Sequence, residues 1–223
     1  MGRFHFRERG RDARGLSQEG SRGRGSMVRL ARSGAVGVAF AILLPGPPAT
    51  AAAEEALWGL LKGGGQVVVI RHASTDPGVG DPPGYRLDDC TTQRNLSPKG
   101  REEARRIGAA FRAHGVPIGR VLSSQWCRCL ETARLAFGTA EPWLPLNSFF
   151  DDRSREPEQT RAVRALAGQR PAAGNLVLVT HQVNISALTG LFPAPGEIII
   201  LTPQGGSTFR VAGRLAPTSL SPN

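Results

Sequence analysis

Residues 63–75 read Gly63-Gly64-Gly65-Gln66-Val67-Val68-Val69-Ile70-Arg71-His72-Ala73-Ser74-Thr75, and this stretch decides the fold. Val67 to Ile70 is an unbroken apolar run with no polar alternation, which predicts a strand buried on both faces, as in the middle of a parallel sheet. The strand then delivers Arg71 and His72 to its carboxyl end, where open α/β sheets hold their ligands. Two other stretches repeat the device. Leu176-Val177-Leu178-Val179 ends in Thr180-His181, and Val121-Leu122-Ser123-Ser124 leads into a helix that carries Arg128. Two arginines and two histidines are thus expected at one edge of one sheet, a composition suited to an anion with a nucleophile beside it. One such residue alone would be weak evidence; a lone strand-end histidine is usually a satisfied polar residue.

Working outward, Glu54 to Lys62 predicts a short helix before the glycine triplet. That triplet is no phosphate-binding P-loop, because no Gly-Lys-Ser/Thr follows it. Ser74 to Asn95 is a long loop with Asp76-Pro77-Gly78 and Asp81-Pro82-Pro83-Gly84 turn signals, leaving the end of the first strand. Ser97-Pro98 supplies an N-cap and a first-turn proline. Ile107, Ala110, Phe111 and His114 follow at helical spacing, and Gly115 ends that helix. His114 is expected at the surface, favoured there by the helix dipole. Further helices are predicted over Gln125 to Phe137, with Leu130, Ala133 and Phe137 inward, and over Pro157 to Gln169. Ile198 to Leu201 and Thr208 to Val211 predict an edge hairpin across Gly205-Gly206. The sequence thus predicts an α/β domain with a mostly parallel sheet and no internal repeat.

The amino terminus reads differently. The 223 residues carry 28 basic and 18 acidic side chains, a net of +10. Residues 1–53 hold nine of the arginines against Glu8, Asp12 and Glu19, so the remainder has 19 basic and 15 acidic residues and a net of +4. The high charge is therefore largely a property of the leader and gives little reason to expect nucleic-acid binding. Residues 1–26 are an Arg/Gly-rich extension expected to be disordered and to lie outside the true product. Residues 27–53 read as a secretory signal: Met27, basic Arg29 and Arg32, an apolar core from Ala35 to Leu44, and Ala-x-Ala cleavage options in residues 49–53. The apolar core is shorter than the ~20 residues of a membrane span. Residues 54–223 are expected to form a single domain, periplasmic or secreted, with no stable membrane span.

Cys90, Cys127 and Cys129 make an odd set, and export would place them in an oxidising compartment. Cys127 and Cys129 lie two positions apart on a helix and so on separated faces. The expectation is that one of them, Cys127 ahead of Cys129, bridges to Cys90 and ties the long loop to the helix of Arg128, the other being an ordinary buried thiol, with three unpaired thiols as the alternative.

The blocks VVVIRHAST (67–75), NLSPKGREEARRIG (95–108), VLSSQWCRCLETA (121–133) and LVLVTHQVNI (176–185) together resemble the histidine phosphatase superfamily, which includes acid phosphatases, cofactor-dependent phosphoglycerate mutases and small phosphohistidine phosphatases. The resemblance implies a three-layer α/β/α, phosphoglycerate mutase-like fold. It implies that His72 is the nucleophile that becomes phosphorylated, that Arg71 and Arg128 clamp the phosphate, and that His181 is the second pocket histidine. The family's usual Arg-His-Gly is Arg-His-Ala here, and Gln182 follows His181 where large acid phosphatases have an acidic residue. The proton donor is then open. Asp151 is the leading candidate and Asp152 the alternative, both equally readable as loop carboxylates paired with Arg153 or Arg155.

The chemistry fits these residue types. A neutral imidazole can attack phosphorus, and arginine forks pair two phosphoryl oxygens at once while staying charged. No cofactor or metal is expected, since no His/Asp cluster has ligand spacing. The leading expectation is a metal-independent phosphomonoester or phosphohistidine hydrolase working through phospho-His72. The alternatives are a phosphosugar mutase of the same fold and a non-catalytic phosphate-binding module. Only 53 positions separate Arg128 from His181, which predicts an open pocket with no large lid. A phosphorylated small molecule, a lipid-linked sugar or a phosphoprotein would all fit. Oligomeric state is not legible.

Overall fold

The computed structural model describes residues 49–220. The extension read at 1–26 and the part up to residue 48 of the segment read as a secretory signal lie outside the described residues. The first helix, α1, runs Ala49–Lys62, starting five residues before the expected Glu54 because the alanine-rich stretch continues the helical turn. Residues 50–53 are exposed, whereas Trp58 and Leu61 are buried.

Six strands form one sheet: β1 (Val67–Arg71), β2 (Ile118–Ser123), β3 (Glu141–Pro142), β4 (Asn175–Thr180), β5 (Ile198–Gly205) and β6 (Thr208–Leu215). Their order is β3-β2-β4-β1-β5-β6. β1 to β4 are mutually parallel, and the β5–β6 hairpin adds an antiparallel edge. The apolar run of β1 sits at the centre, flanked by β4 and β5, and Val67 to Ile70 have no exposed surface. The register pairs Arg71 with Thr180 and Ser123 with Val179, so three strand ends finish level with one another.

Side chains alternate between two cores, as the two-residue period of a strand requires. Val68 and Ile70 of β1, with Val177 and Val179 of β4, face α1, α2 (Pro98–Ala113) and α3 (Cys127–Phe137). Val67, Val69, Leu176 and Leu178 face α4 (Glu156–Ala167) and α5 (Gln182–Thr189). The result is the expected three-layer α/β/α arrangement. Each fully buried valine or isoleucine stabilises it by roughly 1.5–3 kcal/mol relative to an exposed one.

Ser97 caps α2 by accepting from the Gly100 amide at 3.0 Å. Gly100 is needed for packing: a Cβ there would fall 1.8 Å from the Ser74 carbonyl oxygen. The helix therefore lies directly against the chain leaving β1. His114 caps α2 at its carboxyl end, but its ring stacks on Trp58 at 4.2 Å rather than standing free. Leu130 is only half-buried, because the inward face of α3 is made by Cys129, Ala133 and Ala136, and the helix begins two residues later than the pattern predicted. The sequence reading did not propose α5, an eight-residue helix with no clear amphipathic face.

Candidate active site

Arg71 and His72 leave β1, Ser124 follows β2, and His181 follows β4 at the head of α5. Level strand ends bring them together, and Arg128, in the first turn of α3, joins them. All four residues read from the sequence, Arg71, His72, Arg128 and His181, line one cavity of about 670 Å³.

His72 is 4% exposed. Its Nδ1 lies 2.8 Å from the Ala73 carbonyl oxygen, which can only accept, so Nδ1 carries the proton and the lone pair is on Nε2. Burial, followed by the nearby Arg128 charge, lowers the His72 pKa to about 3. The ring is therefore a neutral base with one free nitrogen. The His181 ring stands 5.4 Å from it, centroid to centroid. Its Nε2 is 2.8 Å from the Ser124 hydroxyl and its Nδ1 is 3.5 Å from Nη2 of Arg128. Burial and then Arg128 hold its pKa well below the ordinary histidine value. The Arg128 guanidinium can only donate, so Nδ1 of His181 accepts from it and Nε2 carries the proton, donated to the Ser124 hydroxyl.

Arg128 is engaged in a way that the sequence did not announce. Its Nη1 and Nη2 donate to the two carboxylate oxygens of Asp81 at 2.8 and 3.0 Å, and both side chains are at most 4% exposed. Asp81 also accepts from the Arg94 amide and from Nε1 of Trp126, both at 3.0 Å. Burial alone would raise the Asp81 pKa, but the Arg128 hydrogen bonds and charge outweigh it and hold the carboxyl below its usual value. Arg94 is a third guanidinium on the cavity wall, also absent from the sequence reading. It is fixed only by neutral acceptors: the carbonyls of Gly80 and Gly78 and the Thr75 hydroxyl, at 2.8 to 2.9 Å. Arg71 likewise donates to a neutral carbonyl, Pro193 at 2.9 Å, and its buried Nε has no partner, nor does that of Arg128. Burial and mutual repulsion lower the pKa of Arg71 and Arg94. Three guanidinium groups facing one carboxylate leave an excess of positive charge at the floor, matched to a multiply charged oxyanion.

The chain between β1 and α2 is fastened to this floor. Cys90 and Cys127 are joined by a disulfide, and Gln93 Oε1 accepts from the Cys127 amide at 2.9 Å, capping an α3 terminus that lacks a side-chain cap of its own. Cys129 is a free, buried thiol whose pKa burial pushes up to about 12. Ala73, where the related pattern has glycine, points away from the cavity into a small cluster with Leu96 and Ala104, while its amide donates to Thr132 Oγ1 at 3.1 Å.

The two candidate carboxylates separate. Asp151 lines the cavity mouth. Asp152 instead accepts from the Ser154 amide and from Nε of Arg155, at 3.2 and 2.8 Å, as a turn residue. Among the described residues no cluster of histidine, cysteine and carboxylate could hold a metal ion.

A family model described as "Histidine phosphatase superfamily (branch 1)" matches residues 67–156. No curated protein matches the chain. Among solved structures, the protein histidine phosphatase SixA complexed with tungstate superposes with a TM-score of 0.52 at 18% identity, over 70% of this chain and 99% of its own. Phosphoserine phosphatase from Entamoeba histolytica, in complex with 3-phosphoglyceric acid, gives 0.47 at 12% identity, over 65% and 95%. A mycobacterial glucosyl-3-phosphoglycerate phosphatase gives 0.42 at 18%, over 66% and 96%. At these identities the SixA likeness speaks for the fold, and the other two add nothing to it. The matched segment, which runs from β1 to the first residue of α4 and holds Arg71, His72, Arg94 and Arg128, is similar to the histidine phosphatase superfamily, and the SixA likeness agrees with it in fold.

Proposed function

We propose that this phosphatase hydrolyses phosphomonoesters, without a metal, through a covalent phosphoryl group on Nε2 of His72. The observation that carries the reading is the tautomer of His72: a buried, neutral imidazole with its only proton held by the Ala73 carbonyl and its lone pair free. In the first step Nε2 attacks phosphorus, an N–P bond forms and the P–O bond to the leaving group breaks. The imidazole becomes cationic in this step, and the Ala73 carbonyl, already accepting from Nδ1, stabilises that charge. Arg71, Arg94 and Arg128 offset the charge on the equatorial oxygens. The leaving oxygen takes its proton from Asp151 or from solvent. Water then attacks phosphorus, giving a proton back to Asp151 or to solvent, the N–P bond breaks, and phosphate leaves with His72 neutral again.

The test uses purified protein and p-nitrophenyl phosphate. Wild type releases nitrophenol, and a brief acid-free quench leaves phosphate on the protein in an acid-labile, base-stable bond. His72→Ala loses both signals. His181→Ala slows turnover without abolishing the intermediate. Near wild-type turnover by His72→Ala ends this reading. Binding without turnover by wild type makes the chain a phosphate-binding module, and turnover dependent on a bisphosphoglycerate cofactor makes it a mutase.

An exported location is part of the proposal. It is supported by the bridge between Cys90 and Cys127, which persists in oxidising compartments. It is also supported by α1: cleavage before Glu54 would remove no side chain of residues 50–53 from the core. Among the described residues no helix is long and apolar enough to cross a membrane.

A further inference from the structure

The cavity is much larger than a phosphate group requires, at about 670 Å³, well within the ~300–1,000 Å³ of pockets that enclose whole organic ligands. Its upper wall has a composition that the hydrolysis of phosphate alone does not explain. Among the described residues the large apolar side chains that stand well exposed are Val79 (88%), Leu144 (63%), Phe150 (50%) and Phe192 (72%). Val79, Phe150 and Phe192 all line this cavity, and Leu144 does not. The three come from separate segments: the β1–α2 loop, the stretch before α4, and the α5–β5 loop. An isolated exposed apolar residue is ordinary, but three converging from different loops on one mouth mark a binding surface. Two of the charges beside them are muted, since Arg153 and Glu156, also on the wall, pair with each other at 3.1 Å, and Asp151 stands next to Phe150.

We infer that the site selects phosphomonoesters whose organic part is apolar, an alkyl chain or an aromatic ring, over sugar phosphates. This rests on the phosphatase reading, which puts the phosphoryl group on the arginine floor. The ester oxygen then points outward, and the first atoms beyond it pass between Val79, Phe150 and Phe192. An apolar group there removes its own surface and that of the three side chains from water. A polyhydroxylated group brings hydroxyls that must shed water where Val79, Phe150 and Phe192 offer them no partner.

Hexyl phosphate and glycerol 3-phosphate are esters of primary alcohols with similar leaving groups, so comparing them isolates the organic part. The full chain should show kcat/KM at least about tenfold higher for hexyl phosphate. Benzyl phosphate in the same series separates the two apolar sources: preference for it over hexyl phosphate identifies an aromatic substrate, and the reverse an alkyl one. The double variant Phe150→Ser/Phe192→Ser should bring the hexyl-to-glycerol ratio towards one, while Leu144→Ser leaves it as in wild type. Hexylphosphonate, which cannot be hydrolysed, should bind at least tenfold more tightly than methylphosphonate by calorimetry, and this result does not depend on turnover. Equal rates for hexyl and glycerol esters alongside equal phosphonate affinities overturn the inference and leave the phosphatase reading intact. Absence of all hydrolysis with the phosphonate preference retained sinks the phosphatase reading instead. A change in oligomeric state in the double variant, with unchanged selectivity, would show the apolar patch to be a self-association surface and also overturn the inference.

Discussion

The two walls of the cavity are built on opposite plans. The wall from the β1–α2 loop is held by a buried carboxylate with four donors, a disulfide, a glutamine cap on α3 and an arginine threaded through two carbonyls. The facing wall, from the stretch before α4 and the α5–β5 loop, presents Phe150, Asp151 and Phe192 to solvent. The contrast separates two tasks. Charge stabilisation requires donors that are already in place before the reaction, because reorganising them costs rate. Recognition of an organic group rests on non-directional burial, which tolerates a simpler, open wall.

The contrast breaks most sharply at Asp81. Asp81→Asn leaves Arg128 buried without its counter-charge, which typically costs about 3–5 kcal/mol. Urea unfolding should read that loss, and kcat/KM should fall with it. Added inorganic phosphate should stabilise the variant more than wild type, because the anion replaces the missing charge. Equal phosphate effects on both proteins would mean that Arg128 does not face the anion.

Acid tests the same wall. The pKa of His72 in the folded protein is about 3 against 6.5 for an ordinary histidine. Below pH 6.5 the unfolded chain therefore binds a proton that the folded one refuses, and stability falls as pH drops from 6.5 towards 3. The full loss from this group is roughly 5 kcal/mol, at 1.36 kcal/mol per unit. His181 acts with the same sign. Nitrogen NMR of the His72 ring should show an unprotonated Nε2 throughout pH 5–8; a midpoint near 6.5 would contradict the lowered pKa, and a proton on Nε2 of the neutral ring would contradict the tautomer.

Cys90→Ser removes the covalent tie and should cost about 2–4 kcal/mol, as expected for closing a loop of this length. In the unreduced, denatured wild type, thiol titration should find one free thiol. Three would mean that the loop is held by its polar contacts alone.

The smallest effects belong to the open wall. Asp151→Asn should slow hydrolysis of alkyl phosphates, by no more than the ~10²-fold low end of general-acid contributions, and barely affect p-nitrophenyl phosphate. Asp152→Asn should affect neither, since its oxygens serve the Ser154–Arg155 turn. Equal losses on both substrates would remove Asp151 from proton transfer.

What the sequence made legible follows from how local each signal is. Val67 to Ile70 and Leu176 to Val179 announced their strands through composition alone, and strand direction then fixed where His72 and His181 emerge. Asp81 and Arg94 were missed because their meaning is non-local. Asp81 sits 47 positions from Arg128, inside an Asp-Pro-Pro-Gly turn signal that explains an aspartate without any partner. Arg94 stands one residue before the recognisable block that starts at Asn95, and its role shows only when Gly78 and Gly80 wrap around it. Helix α5 escaped because eight residues at the sheet end are placed by tertiary packing, which outweighs local preference.

Cys129 has one more consequence, for the chemistry of the bridge itself. Before α3 forms, a thiol two residues from a disulfide is a ready intramolecular attacker, and attack would exchange the Cys90–Cys127 bond for another pairing; in the helix the two side chains stand on separated faces. The attacking species is the thiolate. With its pKa pushed up to about 12, Cys129 is ionised at neutral pH in only about one molecule in 10⁵. Burial therefore protects the correct pairing once the protein has folded, and scrambling is confined to the time before α3 docks on the sheet.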